Sequence, residues 1–160
     1  MIIFEAERIV NVKTICIDNA YLDKDRDCLP EEPGLYFVFV GKVEHRPDNS
    51  FRMESPRLIY IGKAKDINDR HNTENGSPKH EHYPDFLGEK GDDEEIAYAV
   101  AVIPEFFDRR LIESALIYQF KPCINIKDQF SFNHRPTRIS IESKIEFPYV
   151  GTFDVAEDSK

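Results

Sequence analysis

The chain has 160 residues, 41% of them hydrophobic, and a formal net charge of −9 at pH 7. This length suits one domain with a buried core, and the composition indicates a globular rather than a disordered protein. The sequence has no run of about 18 apolar residues that would span a membrane, and its acidity argues against a protein that simply coats DNA.

The charge is unevenly distributed along the chain. Residues 91–108 contain six acids and no bases, whereas residues 109–144 contain seven bases and three acids. Residues 42–90 contain nine of each. A basic face on an acidic body therefore stays open, and such a face can bind a polyanion.

The first third of the chain predicts β-structure. Residues 2–17 alternate loosely between polar and apolar types, which predicts one or two edge strands. A β-prone run over residues 35–40 predicts a central strand, and a shorter run over residues 58–61 predicts a second one. The polar residues 41–56 between them predict a loop. If the two strands pair as a hairpin, one end of it carries two tyrosines, Tyr36 and Tyr60.

Glycine and capping signals mark the next elements. Gly62 ends the second strand, and Asp66 is a predicted N-cap for a helix that carries Arg70. A short helix is expected over residues 83–87. Residues 96–103 predict a third strand, with alternate alanines on one face that let a helix pack closely.

A second helix and an edge strand complete the predicted fold. Asp108 is a predicted N-cap for a helix over residues 109–120, which Pro122 ends. Residues 138–142 predict an edge strand. We expect the last dozen residues, which are acidic, to be frayed.

Short motifs occur along these elements in a particular order: Gly34-Leu35-Tyr36, Tyr60-Ile61-Gly62, Lys63-Ala64-Lys65, Arg70, Glu113 and Phe120-Lys121-Pro122-Cys123-Ile124-Asn125. Together they resemble the GIY-YIG endonuclease family, especially the N-terminal nuclease domain of the bacterial excision-repair endonuclease subunit. The resemblance covers about residues 33–127 and predicts a nuclease-like domain there. Residues 1–32 are then an N-terminal extension, and residues 128–160 a C-terminal extension with an acidic tail.

The resemblance implies an α/β fold of the α+β type, with a small, mainly antiparallel three-stranded central sheet flanked by helices and extra terminal strands. It also implies site residues. The predicted catalytic residues are Tyr36, Tyr60, Lys63, Arg70 and Glu113. The predicted structural or substrate-positioning residues are Gly34, Gly62 and Asn125.

Each predicted catalytic side chain suits phosphodiester hydrolysis. The Glu113 carboxylate is a hard oxygen ligand for one Mg²⁺ or Mn²⁺ ion, which would steady the departing 3′ oxygen. The guanidinium of Arg70 suits a phosphate oxygen, and Lys63 is a second cation beside it. Tyr36 and Tyr60 are alternative general bases, and metal-bound hydroxide is a third option. Each residue also has a purely structural interpretation. Glu113 would be a solvated acid, Lys63 and Arg70 would be surface cations, and the two tyrosines would be core aromatics.

Two departures from the family pattern concern the site and its surroundings. A polar insertion separates the two tyrosine motifs. Many family members have a histidine one helical turn after the arginine, where this chain has Glu74. The histidines His71, His80 and His82 lack a zinc-binding spacing with cysteine, so we expect a solvated loop, although one of them is open as a substitute.

The cysteines and the N-terminus bear on the compartment. Cys16, Cys28 and Cys123 are widely spaced, so we expect reduced thiols rather than a disulfide framework. An acid, Glu5, interrupts the apolar start where a signal peptide has its apolar core. We therefore predict a cytoplasmic protein.

The resemblance implies a metal-dependent endonuclease that hydrolyses DNA phosphodiester bonds and leaves 5′-phosphate and 3′-hydroxyl ends. Branched or damaged DNA and RNA are open as substrates. We expect no membrane contact, and targeting by a homodimer partner or a separate protein is open. The alternative is a catalytically weak or inactive nucleic-acid- or protein-binding module on the same scaffold. A plain acidic domain would instead show no salt-sensitive binding to polyanions.

Overall fold

The computed structural model describes residues 3–18, 29–48, 50–74 and 77–157. Its strands are β1 Ala6–Ile17, β2 Gly34–His45, β3 Phe51–Ala64, β4 Thr73–Glu74, β5 Ser77–Pro78, β6 Glu95–Val102, β7 Thr137–Ser143 and β8 Gly151–Val155. Its helices are α1 Ile67–Arg70, α2 Tyr83–Glu89 and α3 Phe106–Phe120. Within the described ranges, no helix is long and apolar enough to cross a membrane.

Six strands form one mixed sheet in the order β3-β2-β6-β1-β7-β8. The pairing of β1 with β7 is parallel, and the other neighbours are antiparallel. The α+β class is therefore confirmed. The predicted three-stranded sheet is wrong in its extent, because strands from both terminal regions add to β3, β2 and β6 along one edge.

Strand positions at that edge also differ from the sequence predictions. Residues 2–17 were expected at an edge, but β1 lies inside the sheet between β6 and β7. The strand expected over 138–142 is β7, which lies between β1 and β8, and β8 orders part of the tail that was expected to be frayed. The reason is non-local: a strand's own residues do not reveal how many neighbours it will gain.

The polar insertion extends the central hairpin instead of forming a loop. Strand β2 continues to His45 and β3 begins at Phe51, so only a short turn separates them. In this turn, the Asp48 carboxylate accepts hydrogen bonds from the backbone and side chain of Ser50. Ser55 has a positive φ of 45° near two register shifts, which lets the long hairpin bend.

Two apolar layers cover the sheet. Helix α3 packs on one face, where its buried side chains meet Phe37, Phe39, Ala99 and Ala101. Helices α1 and α2 cover the other face, where Ile67 and Phe86 are fully buried. Two of the alternate alanines of β6, Ala99 and Ala101, belong to this buried layer.

Helix boundaries follow capping groups. Asp66 caps α1 as predicted, since its carboxylate accepts a hydrogen bond from the Asp69 amide at 3.0 Å. Helix α3 begins earlier than predicted, because Glu105 rather than Asp108 is its N-cap. The Glu105 carboxylate accepts a hydrogen bond from the backbone of Asp108 at 2.6 Å.

One cysteine differs from the expectation of reduced thiols. Cys16, buried at the end of β1, is disulfide-bonded. Cys123 is a free, exposed thiol. Cys28 lies outside the described residues. The prediction of reduced thiols is therefore wrong for Cys16, and the cysteines no longer support a reducing compartment.

Candidate active site

The hairpin of β2 and β3 brings the two tyrosines together. Tyr36 is opposite Gly62 in the ladder, and Tyr60 is opposite Val38, so the tyrosines are diagonal neighbours on one face. Their ring centroids lie 6.1 Å apart. Tyr36 is only 1% exposed, whereas Tyr60 is half-buried. The structure therefore places one phenol inside the protein and the other at its surface.

The two motif glycines leave room for this arrangement. The Tyr36 ring lies directly over the backbone of Gly62, so any Cβ at that position would overlap the ring and its hydroxyl. A Cβ at Gly34 would overlap the carbonyl of Ala101 on the neighbouring strand β6. Each glycine permits a close approach that no other residue allows.

A histidine completes the surroundings of Tyr36. The Tyr36 hydroxyl lies 2.6 Å from Nε2 of His80, which is 2% exposed. The other ring nitrogen of His80, Nδ1, accepts a hydrogen bond from the backbone N–H of His82 at 3.1 Å. In a neutral ring, Nε2 then carries the proton and donates it to the Tyr36 oxygen. His82 thus fixes the tautomer of His80.

The expectation of a solvated histidine loop is therefore wrong for two of the three residues. His71 and His80 are buried, and their rings stack at a centroid distance of 5.3 Å. Both rings contact Tyr36 edge-on. Burial follows from α2, whose Tyr83 and Phe86 pack into the core directly after His80. That apolar pair was the sequence signal for a folded segment.

Arg70 reaches the same cluster from the end of α1. Its guanidinium lies 3.5 Å from the exposed carboxylate of Glu81. The charge of Arg70 also acts on both phenols, and it hydrogen-bonds Tyr36. Because an exposed pair of this kind is weak, Glu81 can release Arg70 to a phosphate.

The surroundings of the two phenols oppose their ionisation. Burial raises the pKa of Tyr36 far above its usual range, the charge of Tyr60 adds to this, and Arg70 opposes it. Burial and then the Glu113 carboxylate raise the pKa of Tyr60. Both phenols are therefore protonated at neutral pH. A phenolate would need additional positive charge nearby, such as a bound cation.

Lys63 and Glu113 form an ion pair at the end of β3. Lys63 Nζ donates to one carboxylate oxygen of Glu113 at 3.2 Å. Burial raises the pKa of Glu113, although Lys63 acts in the opposite direction. The lysine therefore does not fully offset the loss of solvent around this carboxylate.

The surroundings of Glu113 show whether this carboxylate suits a divalent cation. No three metal-binding side chains of His, Cys, Asp or Glu gather in the described ranges, so the protein does not supply a complete ligand cage there. Glu113 offers a single, incompletely compensated carboxylate. Mg²⁺ commonly binds through one or two carboxylates, with water and substrate phosphate as its other ligands. The carboxylate thus fits a hard divalent ion.

Asn125 holds the strand that carries Tyr60. Its side-chain oxygen accepts a hydrogen bond from the Ile61 amide at 2.8 Å, and its side-chain nitrogen donates to the Ile61 carbonyl at 2.9 Å. Strand β3 is at the sheet edge, so the Asn125 side chain takes the place of a neighbouring strand. Asn125 therefore positions the strand and does not contact the phenols directly.

The predicted site residues converge around the end of the hairpin from both sides of the edge strand. The tyrosines and Arg70 lie on the face covered by α1 and α2, and Lys63 with Glu113 lies on the α3 side. The charges of Arg70 and Glu113 both act on Tyr60. Sequence reasoning missed the bond from His80 to Tyr36, because 44 residues separate them.

Stability should depend on pH through His80. Burial, and then the charge of Arg70, lower the pKa of its ring from 6.5 to about 3. The unfolded chain then binds a proton that the folded protein does not, so stability falls as the pH drops from 6.5 towards 3. At pH 5 this costs about 2 kcal/mol relative to neutral pH.

Urea unfolding at pH 7 and pH 5 checks this expectation. His80→Gln should lose about 2 kcal/mol less than wild type between the two values, while His45→Gln, at an exposed histidine, should parallel wild type. An identical pH dependence in wild type and His80→Gln would show that His80 is not the neutral buried group described here.

Of three comparisons with known proteins, only the comparison with solved structures gives a match. No family model and no curated protein matches the chain. Among solved structures, the chain is similar to the crystal structure of the GIY-YIG N-terminal endonuclease domain of UvrC from Thermotoga maritima, a point mutant bound to its catalytic divalent cation. The identity is 24% and the TM-score 0.40, over 69% of this chain and 100% of that one. At these values the likeness assigns neither an activity nor site residues to this chain.

Proposed function

We propose that this protein is a metal-dependent endonuclease that hydrolyses phosphodiester bonds in DNA and leaves 5′-phosphate and 3′-hydroxyl ends. The observation that carries the proposal is the convergence of Tyr36, Tyr60, Arg70 and Glu113 on the end of one hairpin. The charges of Arg70 and Glu113 both act on Tyr60, so these groups share one electrostatic environment. A carboxylate on one side of the edge strand, with an arginine and two phenols on the other, supplies the groups that phosphodiester hydrolysis needs.

Glu113 would hold one Mg²⁺ or Mn²⁺ ion, and Lys63 would yield the carboxylate when the ion binds. When bound, the ion supplies Lewis-acid stabilisation of the phosphate and of the departing 3′ oxygen. Burial raises the pKa of Glu113, so the protonated form, which binds a cation poorly, becomes more populated as the pH falls. Activity should accordingly weaken as the pH falls towards this raised pKa.

Arg70 would bind a non-bridging oxygen of the scissile phosphate. Its side chain is two-thirds buried and pairs only with the exposed Glu81 among described acids. The planar fork of an arginine can donate two hydrogen bonds to one phosphate, which fixes the orientation of the substrate. The negative charge brought by the phosphate replaces that of Glu81.

Tyr36 is our candidate for the proton acceptor. Two donors face its oxygen, His80 Nε2 and Arg70, and donors of this kind stabilise a phenolate. Burial opposes ionisation, so the phenolate would form only once a cation or a proton relay is in place. Tyr60, which is half-buried, would contact the incoming phosphate at the surface side of the pair.

The alternative function is a binding module with little or no activity. The raised pKa values of both tyrosines and the ion pair between Lys63 and Glu113 favour it, because they describe a site with neutral phenols and an occupied carboxylate. A module of this kind would bind nucleic acid or protein without cutting it. RNA remains a second substrate class for either function.

Nicking of supercoiled plasmid tests the proposal. Purified wild type with Mn²⁺ or Mg²⁺ should convert the plasmid to the open circular form, and a chelator should stop the reaction. Arg70→Ala should nick far more slowly, because it removes the proposed phosphate ligand. Arg52→Ala is the matched control. It removes an arginine that lies on the distant part of the hairpin and pairs with Glu146. Salt-sensitive binding without cleavage of any DNA or RNA would support the module instead.

A further inference from the structure

A cleft lies beside the N-terminal turns of α3, away from the tyrosine cluster. It has a volume of about 600 Å³ and is formed between α3 and residues 133–135. The side chains that matter below are those of Phe107, Arg110 and Arg135. We refer to this feature as the α3 cleft.

The acids of the α3 cleft are engaged, but two of its arginines are not. Arg8 Nε pairs with the Asp108 carboxylate at 2.7 Å, and the Glu105 carboxylate caps the helix. Arg110 and Arg135 form no ion pair with an acid in the described parts of the chain. Both are exposed. The three arginines of the cleft outnumber its two acids, so in a protein of net charge −9 this concavity carries a local positive charge that favours an anionic ligand.

An aromatic ring stands at the same cleft. Phe107 is 70% exposed, although a phenylalanine at a helix start could have been buried against the sheet. Its neighbour Phe106 contacts it edge-on at a centroid distance of 5.4 Å, which supports the ring from one side. Cations that bind phosphates, combined with exposed rings on which bases stack, are the features of surfaces that bind single-stranded nucleic acid.

The α3 cleft and Glu113 lie on the same helix. Arg110 precedes Glu113 by three residues on α3, which is nearly one helical turn and a rise of about 4.5 Å. The segment after α3 runs back along the same helix: Ser114 donates to the Asp128 carboxylate at 3.2 Å, and Arg135 lines the cleft further on. A strand bound at Glu113 can therefore continue into the cleft.

We propose that the α3 cleft binds an unpaired stretch of the nucleic-acid strand next to the scissile bond. Arg110 and Arg135 bind backbone phosphates, and Phe107 stacks on a base. The inference rests on the proposed function, because it assigns the flanking part of that substrate. It also names the substrate class: a duplex with an unpaired segment beside the cut, rather than a uniform duplex.

Fluorescence anisotropy with a chelator present tests the cleft without cleavage. The probes are a fluorescein-labelled oligothymidine of about 15 nucleotides and a blunt duplex, each titrated over a range of salt concentrations. In the double variant R110A/R135A, the slope of log K against log salt concentration for the oligothymidine should become about 1.4 less negative, since two phosphate contacts are lost. Phe107→Ala should weaken oligothymidine binding about tenfold and leave duplex binding unchanged.

The double variant K42A/R52A is the matched control. It removes the same charge from the hairpin, where Lys42 pairs with Asp93 and Arg52 with Glu146, and it should keep the wild-type slope. The inference is overturned if this control flattens the slope as much, if R110A/R135A leaves the slope unchanged, or if Phe107→Ala binds the oligothymidine like wild type. Binding is measured without metal, so the two proposals can fail separately. If wild type never nicks plasmid but the cleft variants bind oligothymidine more weakly as expected, the cleft is supported and only the nuclease proposal is contradicted.

Discussion

Glu113→Gln should slow metal-dependent cleavage of DNA by about 10³-fold, since the variant lacks the charge that would hold the ion and the ion supplies several kcal/mol of stabilisation. The substitution keeps the shape of the side chain and an oxygen that can accept the hydrogen bond of Lys63. Single-turnover kinetics measure the loss of cleavage rate, and calorimetric titration with Mn²⁺ measures the loss of metal affinity. Glu142→Gln, at an exposed position of β7, is the control and should match wild type in both.

The same variant should be as stable as wild type or more stable. Burial raises the pKa of Glu113 above its usual range, so the folded protein favours the neutral form more than the unfolded chain does. Above that pKa the ionised carboxylate reduces stability, and an amide removes the reduction. Thermal unfolding at pH 7 measures this. A marked loss of stability, or cleavage within tenfold of wild type, would show that Glu113 is a structural acid.

Gly62→Ala should both destabilise the protein and abolish most cleavage. A Cβ at this position would overlap the ring and hydroxyl of Tyr36, which is buried and cannot move into solvent. Such overpacking costs about 1–3 kcal/mol. It would also move the Tyr36 oxygen away from His80, and a displacement near 1 Å costs about 10² in rate.

Gly88→Ala is the control for this change. Gly88 lies in α2 with no atom near the position of an added Cβ, so alanine there should raise stability by up to about 1 kcal/mol and leave cleavage unchanged. Urea unfolding and plasmid nicking check both variants. If Gly62→Ala cleaves like wild type, the contact between Tyr36 and the Gly62 backbone has no bearing on the reaction.

The parts of the fold that follow from local pattern could be predicted from the sequence. The runs around Tyr36 and Tyr60 are continuous and β-prone, and a glycine lies at one end of each, so both strands could be predicted. Their pairing was a condition of the prediction, and the register of β2 with β3 confirms it. The Asp66 cap was readable for the same reason, because its partner is only three residues away. The resemblance to a nuclease family then supplied an order for Arg70 and Glu113 that local pattern alone does not give.

The parts that depend on distant partners could not be predicted. His80 bonds Tyr36 across 44 residues, and no spacing within the loop reveals it. The interior position of β1 depends on β7, which is contributed by the far end of the chain. The start of α3 was misplaced for a different reason: aspartate is a preferred N-cap residue and glutamate is not, so the sequence favoured Asp108, whereas the Glu105 carboxylate caps the helix.

A double-mutant cycle with Arg70→Lys and Glu113→Asp, both mild enough to leave a measurable rate, tests the central claim that these side chains serve one reaction at one site. In single-turnover cleavage of plasmid with Mn²⁺, each variant should be slower than wild type. The double variant should lose less than the product of the two single losses, with a coupling above about 0.5 kcal/mol. Losses that multiply within about 0.3 kcal/mol, or a wild-type protein with no metal-dependent cleavage, would contradict the account.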